Sequence, residues 1–75
     1  MKYIIIIGCG KTGLQLAGEF SREHNVVVID RSRRALAALG EDFNGKKVMG
    51  DALDIKVLET AGIKEADILI LLTGS

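Results

Sequence analysis

Proline and tryptophan are absent from this 75-residue chain, cysteine and histidine occur once each, and aromatic residues make up 4% of it. A single cysteine forms no internal bridge. With His24 as the lone histidine there is no Cys/His cluster at metal-ligand spacing, which excludes a disulfide scaffold and a zinc module. Neither sign of charge prevails, since ten Lys plus Arg meet ten Asp plus Glu for a net charge of +0. There is no basic excess to hold a phosphate backbone, so nucleic acid is not an expected partner. The apolar run at the start, Tyr3 to Ile7, falls far below the roughly 18 residues of a membrane-spanning helix and is too short for the apolar region of a signal peptide. A cytoplasmic chain with no direct membrane insertion is expected. The nine glycines do not gather at linker density, so no linker, repeat or low-complexity segment is read.

What is present points to one small globular domain. Seventy-five residues leave no room for a second one, and a chain of this size buries only about 60% of its unfolded surface. Hydrophobic residues at 48% exclude intrinsic disorder and suffice for a core.

The apolar pattern changes period along the chain. Tyr3-Ile4-Ile5-Ile6-Ile7 is a continuous run rich in β-branched residues, the pattern of a strand covered on both faces, and it stops at Gly8. From Thr12 to about Arg22, Leu14, Leu16, Ala17 and Phe20 recur at helical spacing. Val26 to Ile29 repeats the buried-strand pattern and ends at Asp30. Ser32 is a cap for a second helix through Leu39, stopped by Gly40, and Lys46 to Met49 is a short third strand placed at a sheet edge. Asp54 caps a third helix whose inner face is read as Ile55, Leu58 and Ala61, closed by Gly62. Ala66 to Leu72 is the fourth strand. This alternation predicts an α/β fold, a Rossmann-like parallel sheet of order 3-2-1-4 with helices on both faces.

Right-handed crossovers put every loop that follows a strand on one edge of the sheet, so Gly8 to Gly13, Asp30-Arg31, Gly50-Asp51-Ala52 and Thr73-Gly74 are expected to meet there. Gly8-Cys9-Gly10-Lys11-Thr12-Gly13 is G-x-G-x-x-G between a strand and a helix. Its first glycine permits the turn, the second admits a pyrophosphate to the backbone, and the third lets helix and strand pack closely. Asp30 follows Gly8 by 22 residues at the end of the second strand, where a carboxylate accepts hydrogen bonds from ribose hydroxyls. The bland alternatives are a tight turn without ligand and a solvated strand end. A Walker P-loop is rejected, because the glycine it requires falls on Ile5. Asp30 would repel a ribose 2′-phosphate, which favours NAD(H), ATP or ADP over NADP. Arg31, Arg33 and Arg34 soften that preference, and Arg31 is placed to lie over the adenine.

The segments Ile6 to Gly13, Val26 to Arg31, Met49 to Asp54 and Leu58 to Asp67 resemble the TrkA N-terminal domain, also called the KTN or RCK domain, a cytosolic nucleotide-binding regulator of potassium transporters and channels. The more particular part is Gly50-Asp51-Ala52 followed by Glu59-Thr60-Ala61-Gly62-Ile63. The resemblance implies a ligand-gated switch and no enzyme. It assigns phosphates to the backbone from Cys9 to Gly13, a terminal phosphate to Lys11, ribose to Asp30, the adenine amino group to Asp51 beside Ala52, and the far wall of the crevice to Thr73 and Gly74. The implied partners are NAD(H) or ATP/ADP, further copies of the chain, and a membrane potassium transporter or channel subunit. Thr12 departs from the family, where valine is more usual. The chain also looks like the first half of such a domain, cut after strand four.

That shortness leads to a structural expectation. Helices one and two are expected on one face and helix three alone on the other, leaving strand four as an exposed apolar edge that pairs with another chain. The alternatives are the nucleotide half of an NAD-dependent oxidoreductase, or a module that only assembles. Against catalysis, His24 is expected at the opposite sheet edge as a solvated turn residue, and Cys9 is read as fitting the tight loop and not as a nucleophile.

Overall fold

The computed structural model describes residues 1–72, and the expected site residues Thr73 and Gly74 lie outside them. β1 (Tyr3–Ile7), α1 (Lys11–Phe20), β2 (Asn25–Asp30), α2 (Arg33–Ala37), β3 (Lys46–Met49), α3 (Ile55–Ala61), a 3₁₀ turn (Ile63–Glu65) and β4 (Ile68–Leu71) follow one another along the chain. All pairings are parallel and the sheet order is β3-β2-β1-β4, as the alternating pattern predicts.

Strand alternation splits the core in two. Ile4, Ile6, Val26 and Val28 pack with Ala17 of α1 and Leu36 of α2, whereas Ile5, Val27, Ile29 and Val48 pack with Ala61 of α3. Because β1 contributes buried side chains to both faces, it must be apolar throughout, which is why its sequence shows no polar alternation. The core residue of helix α3, Ala61, packs with Ile5, Val27, Ile29 and Val48 of β1 to β3. Leu69 and Leu71, in register with Ile5 and Ile7 on that face, are 51% and 67% exposed. The expected under-covered face and apolar edge are therefore present.

Element ends shift for local reasons. Helix α1 stops at Phe20, two residues short of Arg22, because Ser21 bonds back to Gly18 and both Glu23 N–H and His24 N–H turn onto the Phe20 carbonyl. The second helix ends at Ala37, after which Leu39 and Gly40 make tighter bonds three residues back, so Gly40 still ends the segment. The inner face of α3 requires a correction. Val57, Leu58 and Ala61 pack inward, while Ile55 is 61% exposed. Successive three-residue steps each drift by about 60° on a helix of 3.6 residues per turn, so two steps carry Ile55 off the face centred on Ala61. Ala66 belongs to the close of the 3₁₀ turn and not to the strand, yet Asp67 N–H and Leu72 N–H bond to Tyr3 and Ile7 carbonyls just beyond the ends of β4.

Candidate functional site

The carboxyl ends of β1, β2 and β3 converge as predicted. Gly8 N–H donates to the Ile29 carbonyl at 2.8 Å and Gly50 N–H to the Asp30 carbonyl at 3.0 Å, which ties the three loops side by side. Gly8 has φ +105°, a left-handed conformation that side chains rarely adopt, and a Cβ there would lie 2.7 Å from the Leu72 carbonyl oxygen. The glycine is therefore required both by its turn and by the approach of the chain after β4.

Helix α1 opens at Gly10, which supplies no side-chain cap, and no acidic residue stands in its first turn. Its first intrahelical bond from the capping residue runs from Leu14 N–H to Gly10 C=O, so the preceding amides of Lys11, Thr12 and Gly13 carry the positive end of the helix dipole. Lys11 and Thr12 are exposed beside it. Gly13 is buried against the Gly8 carbonyl, the close helix–strand contact expected of the third glycine.

Asp30 joins the loop directly. One carboxylate oxygen accepts from Cys9 N–H at 2.7 Å and the other from Ser32 N–H at 2.8 Å. The Cys9 amide is therefore occupied by Asp30, whereas among the described residues the amides at the start of α1 have no such side-chain acceptor. A cleft of about 170 Å³ is lined by Gly8, Asp30, Arg31, Gly50, Asp51 and Ala52 together with Ile7 and Ile29. It is smaller than the roughly 300–1,000 Å³ that encloses a whole small-molecule ligand. A larger hollow of about 540 Å³ lies between α1 and the segment after α2, around Leu14, Gly18, Leu39 and Phe43, away from the glycine loop and the strand ends. Asp51 accepts from Leu53 N–H at 2.9 Å, which fixes its loop.

Cys9 is 3% exposed and its thiol donates to the Ala35 carbonyl at 3.3 Å. Burial pushes the thiol pKa up, the Asp30 carboxylate pushes it further, and Lys47 opposes them. The buried thiol thus acts as a hydrogen-bond donor to α2, a contact beyond the loop-fitting role expected from the sequence. His24 is not simply solvated: it is half-buried, its Nδ1 accepts from Lys2 N–H at 3.0 Å, and its ring meets Phe20 edge-on. It does sit at the amino end of β2, opposite the cleft. The residue missed in advance is Ser32, read only as a helix cap. Its amide holds Asp30, and the available signal was the Asp-x-Ser spacing of an Asx turn.

Comparison with known proteins agrees with this geometry. The Trk system potassium uptake protein TrkA homolog of Pyrococcus abyssi is 42% identical over 73 residues, covering 96% of this chain and 32% of that protein. TrkA of Streptomyces coelicolor is 42% identical over 65 residues, covering 85% and 29%, and TrkA of Haemophilus influenzae is 33% identical over 73 residues, covering 96% and 16%. The chain thus spans about a third or less of the length of these curated relatives. Among solved structures, apo histidine-tagged saccharopine dehydrogenase (L-Glu forming) from Saccharomyces cerevisiae superposes with a TM-score of 0.77 at 21% identity, over 99% of this chain and 17% of that one, which establishes the Rossmann-like fold alone. With the glycine loop, the acidic strand end and the sheet order in place, and with residues 4–75 matching the family described as TrkA-N domain, the chain belongs to the TrkA-N domain family.

Proposed function

We propose that this chain is the nucleotide-binding part of a potassium-uptake regulator, in which NAD(H) or ATP/ADP lies across the carboxyl edge of the sheet. The phosphates rest on the amides of Lys11, Thr12 and Gly13, with Gly10 admitting them and the Lys11 ammonium reaching a terminal phosphate. Asp30 takes the ribose, Arg31 lies over the base, and Asp51 and Ala52 border it. The observation that supports this reading is the 2.7 Å bond from Cys9 N–H to Asp30, because it joins the proposed ribose acceptor to the glycine loop that leads into α1. The naming of relatives as Trk system potassium uptake proteins supports a role in potassium transport through a membrane transporter or channel. On this reading residues 1–75 are the N-terminal part of a KTN/RCK-type domain that works at the cytoplasmic face as a homo-oligomer.

The reading is of a sensor and not a catalyst. Among the described residues, His24 is at the opposite sheet edge and the Cys9 thiol is turned under α2, so neither offers an acid or base to the cleft. Calorimetric titration with NADH, ATP, ADP and cyclic dinucleotides, repeated on Asp30→Ala, tests the assignment. Saturable heat for an adenine nucleotide that weakens in the variant supports it. Flat traces for every ligand point to a module that only assembles, and turnover of NADH with a substrate points to an oxidoreductase half.

A further inference from the structure

Four hydrogen bonds close a ring between the glycine loop and α2. Cys9 N–H donates to Asp30 Oδ2 at 2.7 Å and Ser32 N–H to Asp30 Oδ1 at 2.8 Å. Ala35 N–H donates to Ser32 Oγ at 3.1 Å, and Cys9 Sγ–H to the Ala35 carbonyl at 3.3 Å. Of these four residues only Asp30 lines the cleft.

The element at the other end of the ring is weak on its own. Helix α2 is five residues long, well below the roughly 12–15 at which an isolated helix becomes even marginal in water. It is held from outside by the packing of Leu36 and Ala35 on the core, by the Ser32 cap and by the thiol, and the last two lead back to Asp30. A carboxylate offers about four acceptor sites. The two amides engage one on each oxygen, so each oxygen keeps one, matching the two donors of a ribose cis-diol.

We propose that Cys9 and Ser32 are positioning residues of the nucleotide site, which hold Asp30 ready for the ribose and pass its occupancy to α2. This rests on the nucleotide reading above. Once a ribose immobilises the carboxylate, Ser32 and Cys9 bond to a fixed partner, so α2 opens less often. Linkage makes the effect reciprocal: whatever loosens α2 weakens the nucleotide. Burial and the Asp30 charge keep the thiol protonated, which preserves the donor to Ala35.

Amide hydrogen exchange read by mass spectrometry over residues 33–38, without ligand and with ADP or NADH at calorimetrically verified saturation, tests the coupling. Either nucleotide is expected to slow exchange there by about fivefold or more. Ser32→Ala and Cys9→Ala, both measured at saturation, reduce that slowing to about twofold or less, and Cys9→Ser, which keeps a donor, recovers part of it. Ser32 is exposed, so its variant tests the ring even where Cys9→Ala folds poorly. Saturation with no change over residues 33–38, or an Ala variant that responds like the parent, overturns this inference alone. Absence of any nucleotide binding overturns the site assignment and this inference with it.

Discussion

The Cα of Gly13 lies so close to the carbonyl oxygen of Gly8 that a Cβ on Gly13 would overlap it. The obstacle is backbone at the turn that opens the site, so it has little freedom to move. Gly13→Ala is therefore expected to lift α1 from β1 and cost about 1–3 kcal/mol, the range typical of overpacking. For a domain of this size that lowers the melting temperature by about 4–8 °C per kcal/mol in a circular dichroism melt.

Gly18 in the same helix is the internal control. Nothing lies within 4 Å of where its Cβ would stand. Gly18→Ala is expected to raise stability by about 0.5–1 kcal/mol through helix propensity alone. A loss of stability at Gly18, or none at Gly13, would contradict the packing described for α1.

Removing the Asp30 carboxylate strips a charged acceptor from the proposed ribose site and frees the Cys9 and Ser32 amides. Hydrogen bonds to charged groups contribute about 1.5–3 kcal/mol, so Asp30→Ala is expected to weaken NADH or ADP by about 10- to 100-fold in calorimetric titration. The same carboxylate opposes a 2′-phosphate, so NADPH is expected to bind the parent protein more weakly than NADH. Equal affinities would show that Arg31 and its neighbours decide the matter instead.

The raised Cys9 pKa makes stability depend on pH with a definite sign. Below the thiol pKa of the unfolded chain both states are protonated and the stability is fully present. As pH rises past that value, the unfolded state releases a proton that the folded state retains, so folding weakens. Urea unfolding between neutral and alkaline pH is expected to show the parent losing ground relative to Cys9→Ser, which has no group titrating there. Parallel curves would contradict the burial and charge effects at Cys9.

Ile68, Leu69 and Leu71 are exposed at 42%, 51% and 67% on a strand that, among the described residues, has one unpaired edge. Such an edge is a template for another chain, and self-association is expected in sedimentation velocity. Leu69→Lys and Leu71→Lys together are expected to shift the population toward monomer. A parent protein that sediments only as a monomer and unfolds cooperatively would refute this.

The sheet was legible because β1 and β2 are buried on both faces, so an unbroken run of Ile and Val admits one reading once glycine and aspartate end it. The site was legible because G-x-G-x-x-G followed by Asp30 specifies a turn, a helix start and an acceptor at one sheet edge. Ile55 misled because a three-residue step imitates a helical face over one turn and drifts away over two. Ser32 was half read: its hydroxyl role follows from capping preference, but that its amide would grip the same carboxylate as the Cys9 amide is a long-range relation. No local pattern encodes a contact between residues 9 and 30.

The two margins of the sheet are not alike. The outer strand β3 carries Lys46 and Lys47, whose ammonium groups reach the Thr60 and Gly40 carbonyls on neighbouring segments, whereas β4 from Ile68 to Leu71 carries no charge at all. Lysines on an outer strand discourage further pairing, so among the described residues only the β4 margin is left open to strand addition. Two copies joined along their bare margins would turn only lysine-bearing margins outward, and such an assembly closes at a pair instead of propagating as a filament.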